Sequence, residues 1–94
     1  MIVPHMEQID PNDLLVFARV VAEGSLTAAA DKLGLPKSTV SRRLSRLEEQ
    51  LGERLLLRTT RRLNITEFGA ALLDHARQLE SEVEAVAALA ESRQ

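Results

Sequence analysis

Between Ser25 and Leu51 the chain sets two helical stretches end to end with only a three-residue joint between them. The first covers Leu26–Leu33, roughly two turns at 3.6 residues per turn. Ser25 is its N-cap, and Leu26, Ala29, Ala30 and Leu33 give it one apolar face. The small alanines let a neighbouring helix approach closely. A helix this short is marginal in water, so packing must hold it. Gly34 ends it in a left-handed conformation, and Leu35 folds back toward the core. The second stretch begins at Pro36 or Lys37 and ends at Leu51, with Gly52 as its stop. Pro36 suits a first turn, whereas Ser38 is the better capping side chain. Val40, Leu44, Leu47 and Leu51 form the inner face at spacings of 4, 3 and 4. At about 100° per residue, the opposite direction falls on Ser38, Arg42, Ser45 and Glu49, flanked by Ser41 on one side and by Thr39 and Arg46 on the other.

Ahead of this pair, Asp10-Pro11-Asn12-Asp13 reads as a helix start. Asp10 caps, Pro11 takes the first helical position, and Asp13 complements the positive end of the helix dipole. Leu14, Phe17, Ala18 and Val21 make an apolar stripe that Leu15, Val20 and Ala22 widen, and Gly24 closes the helix. Residues 1–9 are expected to be a flexible leader, and the origin of residues 1–5 stays open.

After Gly52, Leu55–Arg58 and Arg62–Ile65 are short β-tolerant runs joined through Thr59-Thr60-Arg61. They predict a two-stranded hairpin, which is not stable alone and must lean on the helices. Thr66 then caps a helix running from Glu67 to about Glu91, roughly 37 Å at 1.5 Å per residue. Leu72, Ala76, Leu79, Val83, Val86 and Ala90 follow one another at 4, 3, 4, 3, 4, a heptad seam. A small core cannot cover that length, so the seam is expected to pair with a second copy of itself, with packing inside the monomer as the alternative. Gly69 weakens the helix start and is expected to mark a close approach to the first helix. The expected fold is mainly α: a three-helix core with a two-stranded β hairpin over residues 10–65, and a long helix over 66–94.

The net charge of −2 argues against a nucleic-acid partner, but its distribution reverses that. Residues 31–62 carry nine basic against four acidic residues, a local +5; the rest carries three against ten, −7. A basic middle between acidic ends attracts phosphate more than the overall balance does, although a solvated charged face reads the same way. The outward face of the second stretch decides between them. Ser38, Ser41 and Ser45 are short enough for the backbone to approach a groove. Arg42 can reach a guanine in bidentate fashion, while Lys37 and the hydroxyls reach bases or phosphates. The helix capped by Ser25 would lie across the sugar-phosphate backbone with its positive end toward phosphate. Arg58, Arg61 and Arg62 would sit alongside as a wing suited to the narrow minor groove.

Each of these residues has a plainer role as well. Ser38 is either the N-cap or a base-facing hydroxyl. Arg43 and Arg46 can pair with Glu48 or Glu49 on the helix surface. Arg54 pairs locally or touches phosphate. His75 has no second ligand at metal spacing and is read as surface or interface packing. The sequence has no Cys, no HExxH, no glycine-rich phosphate loop and no Ser/His/Asp arrangement, so it offers neither a metal site nor a catalytic one and calls for no cofactor. No apolar run approaches a membrane span, and the first residues do not form a signal peptide, so a cytoplasmic location is expected.

Taken together, Ala29-Ala30, Leu33-Gly34, Ser38-Thr39-Val40-Ser41-Arg42, Leu44, Leu47-Glu48, Leu51-Gly52, Leu55-Leu56, Arg58-Thr59-Thr60-Arg61 and Thr66-Glu67-Phe68-Gly69 resemble the N-terminal DNA-binding domain of LysR-type bacterial transcriptional regulators. The resemblance spans about residues 14–77. It implies a winged helix-turn-helix over residues 10–65, with a two-stranded β wing and a linker helix over 66–94, and sequence-specific binding of double-stranded DNA, with Lys37, Ser38, Ser41 and Arg42 facing the major groove. It further implies Arg58, Arg61 and Arg62 at the wing-side backbone or minor groove, and a homodimer through residues 67–91, with tetramers in a full-length regulator. Pro36 and Lys37 fall at positions that vary within the family and would tune operator preference. The effector-binding domain of such regulators has no counterpart before Gln94, so the chain is expected to be a fragment of a longer regulator, with a naturally short relative as the alternative, and in either case to hold no small-molecule effector. Two rival readings share the fold: a winged-helix module for protein–protein contact, and a sequence-tolerant architectural DNA-binding protein.

Overall fold

The computed structural model describes residues 8–58 and 62–93, with the side chain of Arg58 excepted. In chain order these form α1 (Pro11–Glu23), α2 (Leu26–Leu33), α3 (Lys37–Leu51), β1 (Leu56–Arg58), β2 (Leu63–Ile65) and α4 (Glu67–Glu91). The leader expected at the N-terminus falls largely on residues 1–7, outside the described residues. Within reach of the core, Ile9 is half-buried and packs against it.

The first helix organises the fold, because α1 packs against α2, α3 and α4. Its Phe17 and Val20 are fully buried, with Val16 and Ala18 nearly so. Ala29 and Ala30 seat α2, while Val40, Leu44 and Leu47 seat α3, as their spacing predicts. The joint between α2 and α3 is a paired C-terminal turn. Gly34 takes φ 67°, its N–H donates to the Asp31 carbonyl at 3.3 Å, and Leu35 N–H donates to the Ala30 carbonyl at 3.0 Å. That geometry turns Leu35 inward against the core and sends α3 off at once. The ambiguity at the start of α3 resolves on Pro36, which occupies the N-cap position without any side-chain cap.

The wing is an antiparallel pair with Leu56 opposite Ile65, Leu57 opposite Asn64 and Arg58 opposite Leu63. Its expected connection, Thr59-Thr60-Arg61, lies outside the described residues. What anchors the wing is the backbone around Leu55. Glu48 of α3 takes the amides of Leu55 and Leu56 on a single carboxylate oxygen, at 2.8 and 3.3 Å. The Leu55 carbonyl accepts from Thr66 N–H at 3.0 Å. The Thr66 hydroxyl donates to the Arg54 carbonyl at 2.6 Å and accepts from Gly69 N–H at 2.9 Å, so it caps α4 and staples the wing together. The close approach expected at Gly69 is therefore real, but the neighbour differs. A Cβ at Gly69 would collide with the Leu55 carbonyl oxygen and lie 2.9 Å from the Ile65 side chain. The expectation of a contact with the first helix is corrected: the wing, and not α1, needs the missing side chain.

The long helix divides into two parts. Gly69, Leu73 and Ala76 are buried, and Arg19 of α1 reaches Glu80 at 3.4 Å. From position 81 onward every described residue is exposed, including Val83 (48%), Val86 (64%) and Leu89 (64%). Of the expected seam, Ala76 is fully buried inside the monomer and Leu72 and Leu79 are half-buried, so Ala76 is closed to a partner. Leu89, which the heptad spacing omits, is exposed beside Val86 and Ala90. No described helix is long and apolar enough to cross a membrane.

Gly69→Ala gains helix propensity of about 1 kcal/mol but forces the wing away, an overpacking cost of about 1–3 kcal/mol. We expect a net loss of stability seen as a lower thermal midpoint by circular dichroism; a raised midpoint would contradict the contact. Glu48→Ala should leave two amides without their acceptor, at about 1–3 kcal/mol. Faster hydrogen exchange at Leu55 and Leu56, with the α1 and α2 amides unchanged, is the expected signature.

Candidate nucleic-acid interface

The outward face of α3 appears where periodicity places it. Lys37, Ser38, Arg42 and Ser45 are exposed, and Thr39 and Ser41 are half-buried at the edges. Ser38 is released from capping because the N-cap falls two residues earlier, at Pro36, so Ser38 stands on the exposed face. Lys37 and Arg42 form no ion pair among the described residues. Three short hydroxyl side chains and two cations thus share a helix whose backbone is accessible, the combination a groove requires.

Ser25 is placed as expected at the start of α2, where its hydroxyl oxygen accepts from Ala28 N–H at 3.0 Å. That leaves its proton to donate outward. On the wing, Arg62 is exposed just before β2. Arg58 belongs to β1 by its backbone, while its side chain and the whole of Arg61 lie outside the described residues.

Arg46 departs from the simple picture of a flanking cation reaching for phosphate. Its guanidinium is held side-on by Asp13: Nε donates to Oδ2 at 2.9 Å and Nη2 to Oδ1 at 2.9 Å. Nη2 also approaches Asp10 Oδ2 at 3.5 Å. Arg43 adds Nη1 to Asp13 Oδ1 at 3.2 Å. Neither arginine pairs with Glu48 or Glu49, the local partners that the sequence offered. Glu48 serves the wing, and Arg54 lies 3.4 Å from it, so the local pairing expected of Arg54 is present. The buried end of the cluster, Asp13, is missed by sequence reasoning. It looks like an ordinary first-turn acid, and the one available signal is that Arg43 and Arg46, three residues apart on one flank, need a counter-charge.

No group of three His, Cys, Asp or Glu residues that could hold a metal occurs among the described residues. An apolar groove runs between the end of α1 and the wing, lined by Val20, Val21, Gly24, Leu56, Leu63 and Ile65. None of these lining residues is charged.

With this geometry in place, comparison with known proteins is direct. An HTH-type transcriptional regulator from Xanthomonas campestris pv. campestris (strain 8004) is 53% identical over 75 residues, 80% of this chain and 22% of that protein. The HTH-type transcriptional regulator CrgA of Neisseria meningitidis serogroup C (strain 8013) is 47% identical over 73 residues, 78% of this chain and 24% of that protein. The chain therefore spans about a quarter of the length of these curated relatives. Among solved structures, the DNA-binding domain of BenM in complex with catB site 1 DNA is similar with a TM-score of 0.80 and 34% identity, covering 89% of this chain and 94% of that one. Full-length LysG from Corynebacterium glutamicum with bound effector gives a TM-score of 0.78 at 29% identity, covering 90% of this chain and 29% of that one. The family model described as bacterial regulatory helix-turn-helix protein, lysR family, matches residues 11–70, from the start of α1 into α4, and the chain belongs to that family.

Proposed function

We propose that this chain binds double-stranded DNA sequence-specifically as the DNA-binding domain of a LysR-type transcriptional regulator. The observation that carries the reading is the likeness to the BenM domain, whose structure is a DNA complex and which this chain matches over nearly its whole length. The exposed face of α3 supports it independently. In this reading α3 enters the major groove with Lys37, Ser38, Ser41 and Arg42 toward base edges, Ser45 and Thr39 at its margins, and Arg46 at the backbone. The α2 start at Ser25 lies at a phosphate, and Arg58, Arg61 and Arg62 serve the minor groove or the backbone beside it. Two copies pair through the exposed half of α4, centred on Leu79, Val83, Val86 and Ala90, with Leu72 at the edge and Leu89 added. The full regulator would regulate transcription, in the cytoplasm and without catalytic activity; the relatives, named as transcriptional regulators, support the regulatory role.

Arg42→Ala should weaken binding to a duplex selected from a random pool by about 1–3 kcal/mol and relax its base preference. Arg61→Ala should weaken selected and random duplexes alike and reduce the slope of log affinity against log salt by about one unit. An interaction module would show no salt-dependent duplex binding at all, and an architectural protein would bind the two duplexes within a few-fold of each other. Val83→Glu places a charge in the exposed apolar stripe. Sedimentation should show a dimer converting to a monomer, and a wild-type monomer would remove the pairing from the proposal.

A further inference from the structure

Among the described residues Asp13 is the buried charged side chain, fully screened from solvent at the first turn of α1. Burying a carboxylate is unfavourable unless it is paired, and an apolar substitute of similar volume often holds a core as well or better. Here the carboxylate is paired twice, and both partners come from α3. Arg43 and Arg46 are themselves partly exposed, with side chains at 31% and 47%. The cluster therefore reaches from the core, under α3, to the rim of its outward face.

The geometry at Arg46 is the informative part. Asp13 occupies the Nε–Nη2 edge of the guanidinium, and Asp10 stands behind Nη2. The remaining terminal nitrogen, Nη1, has no partner among the described residues. Arg46 follows Arg42 by one helical turn, so the open edge lies beside the base-facing positions and not among them. A long flexible arginine would otherwise sample many rotamers, and a carboxylate fork removes that freedom before any ligand arrives. A guanidinium fixed at a groove margin, with one edge open, suits a phosphate oxygen. Phosphate contacts fix the register of a helix on DNA without reading sequence themselves.

We propose that Asp13 is a positioning residue for DNA recognition: it locks Arg46 side-on so that Nη1 meets a backbone phosphate and sets the register in which Arg42 meets its base. The proposal rests on the DNA-binding reading above. It also makes Asp13 a negative charge placed under a DNA-facing surface, which opposes indiscriminate attraction to phosphate while sharpening the productive pose.

The test measures affinity of the 94-residue chain for two duplexes, one selected by the wild-type chain from a random pool and one random. Asp13→Asn keeps the shape and removes the charge. It should bind random duplex at least as tightly as wild type and selected duplex on the order of ten-fold more weakly, because register and not attraction is lost. Arg46→Lys keeps the cation, loses the side-on fork and lies on the surface, so it carries the same test if Asp13→Asn fails to fold by circular dichroism. It should show the same fall in selectivity, with the loss on the selected duplex exceeding any loss on the random one. The double substitution should be no worse than either single one. Selected and random affinities that move together, or losses that add in the double variant, overturn the proposal, since a purely structural role lowers both affinities in proportion to the folded fraction. Wild-type discrimination that survives both substitutions overturns the positioning role alone. A wild-type chain that binds neither duplex overturns the DNA-binding reading with it.

Discussion

Leu55 is where the recognition helix, the wing and the long helix are tied together, and most of the architecture depends on that one stretch of backbone. Its side chain is buried in the core. Its amide is held by Glu48 of α3, and its carbonyl accepts from Thr66 at the entry to α4. Gly69 brings α4 so close that no side chain fits between them. A two-stranded ribbon has no stability of its own, so its orientation is whatever these bonds impose. The wing is thereby slaved to α3, and the spacing between that helix and the hairpin is set by contacts within the chain. The same knot fixes where α4 departs, which determines how two copies would present their recognition helices.

Charge is arranged around the same helix with a similar economy. The basic middle of the sequence is less basic on the surface than its count suggests. Arg43 and Arg46 are engaged by Asp13 and Asp10, and Arg54 by Glu48. What remains open on α3 is a narrow line, Lys37 and Arg42, among short hydroxyl side chains. Exposed ion pairs contribute little stability, but Asp13 is buried, and its pairing holds α3 at a defined rotation against α1. The acids near the recognition helix thus decide which cations stay available and how they point.

The elements themselves were legible because each carries a local signature. A cap, an apolar stripe and a glycine stop mark α2 and α3, and the inner and outer faces of α3 follow from four leucine and valine positions. What was not legible is long-range. Arg46 finds its partner 33 residues away on another helix, whereas the sequence offers Glu48 and Glu49 at helical spacing. Gly69 announces a close approach without naming the neighbour. The stripe along α4 is continuous in sequence, and nothing in its spacing says that the monomer covers Ala76 and leaves Val83 bare. Spacing fixes which face a residue occupies; only the packing of other elements determines how far along a helix that face is covered.

That division of α4 bears on how the molecule can work. Gly69, Leu73, Ala76 and Glu80 face the core, whereas Leu79, Val83, Val86 and Ala90 lie roughly 70° around the helix at 100° per residue. Leu72 and Leu79, at the start of the second stripe, are half-buried. A partner could therefore pack against the second stripe without disturbing the first, so the monomer core would be complete before pairing begins. The exposed part, residues 81–91, is short enough to be marginal as an isolated helix. Its order rests on continuity with the anchored half, and pairing would add the burial that the core does not provide. Two readers joined this way would inherit their separation from the Leu55 junction in each copy, because that junction sets the direction of α4 relative to α3. Recognition of a two-fold site would then depend on one backbone contact repeated twice, at a distance from any base.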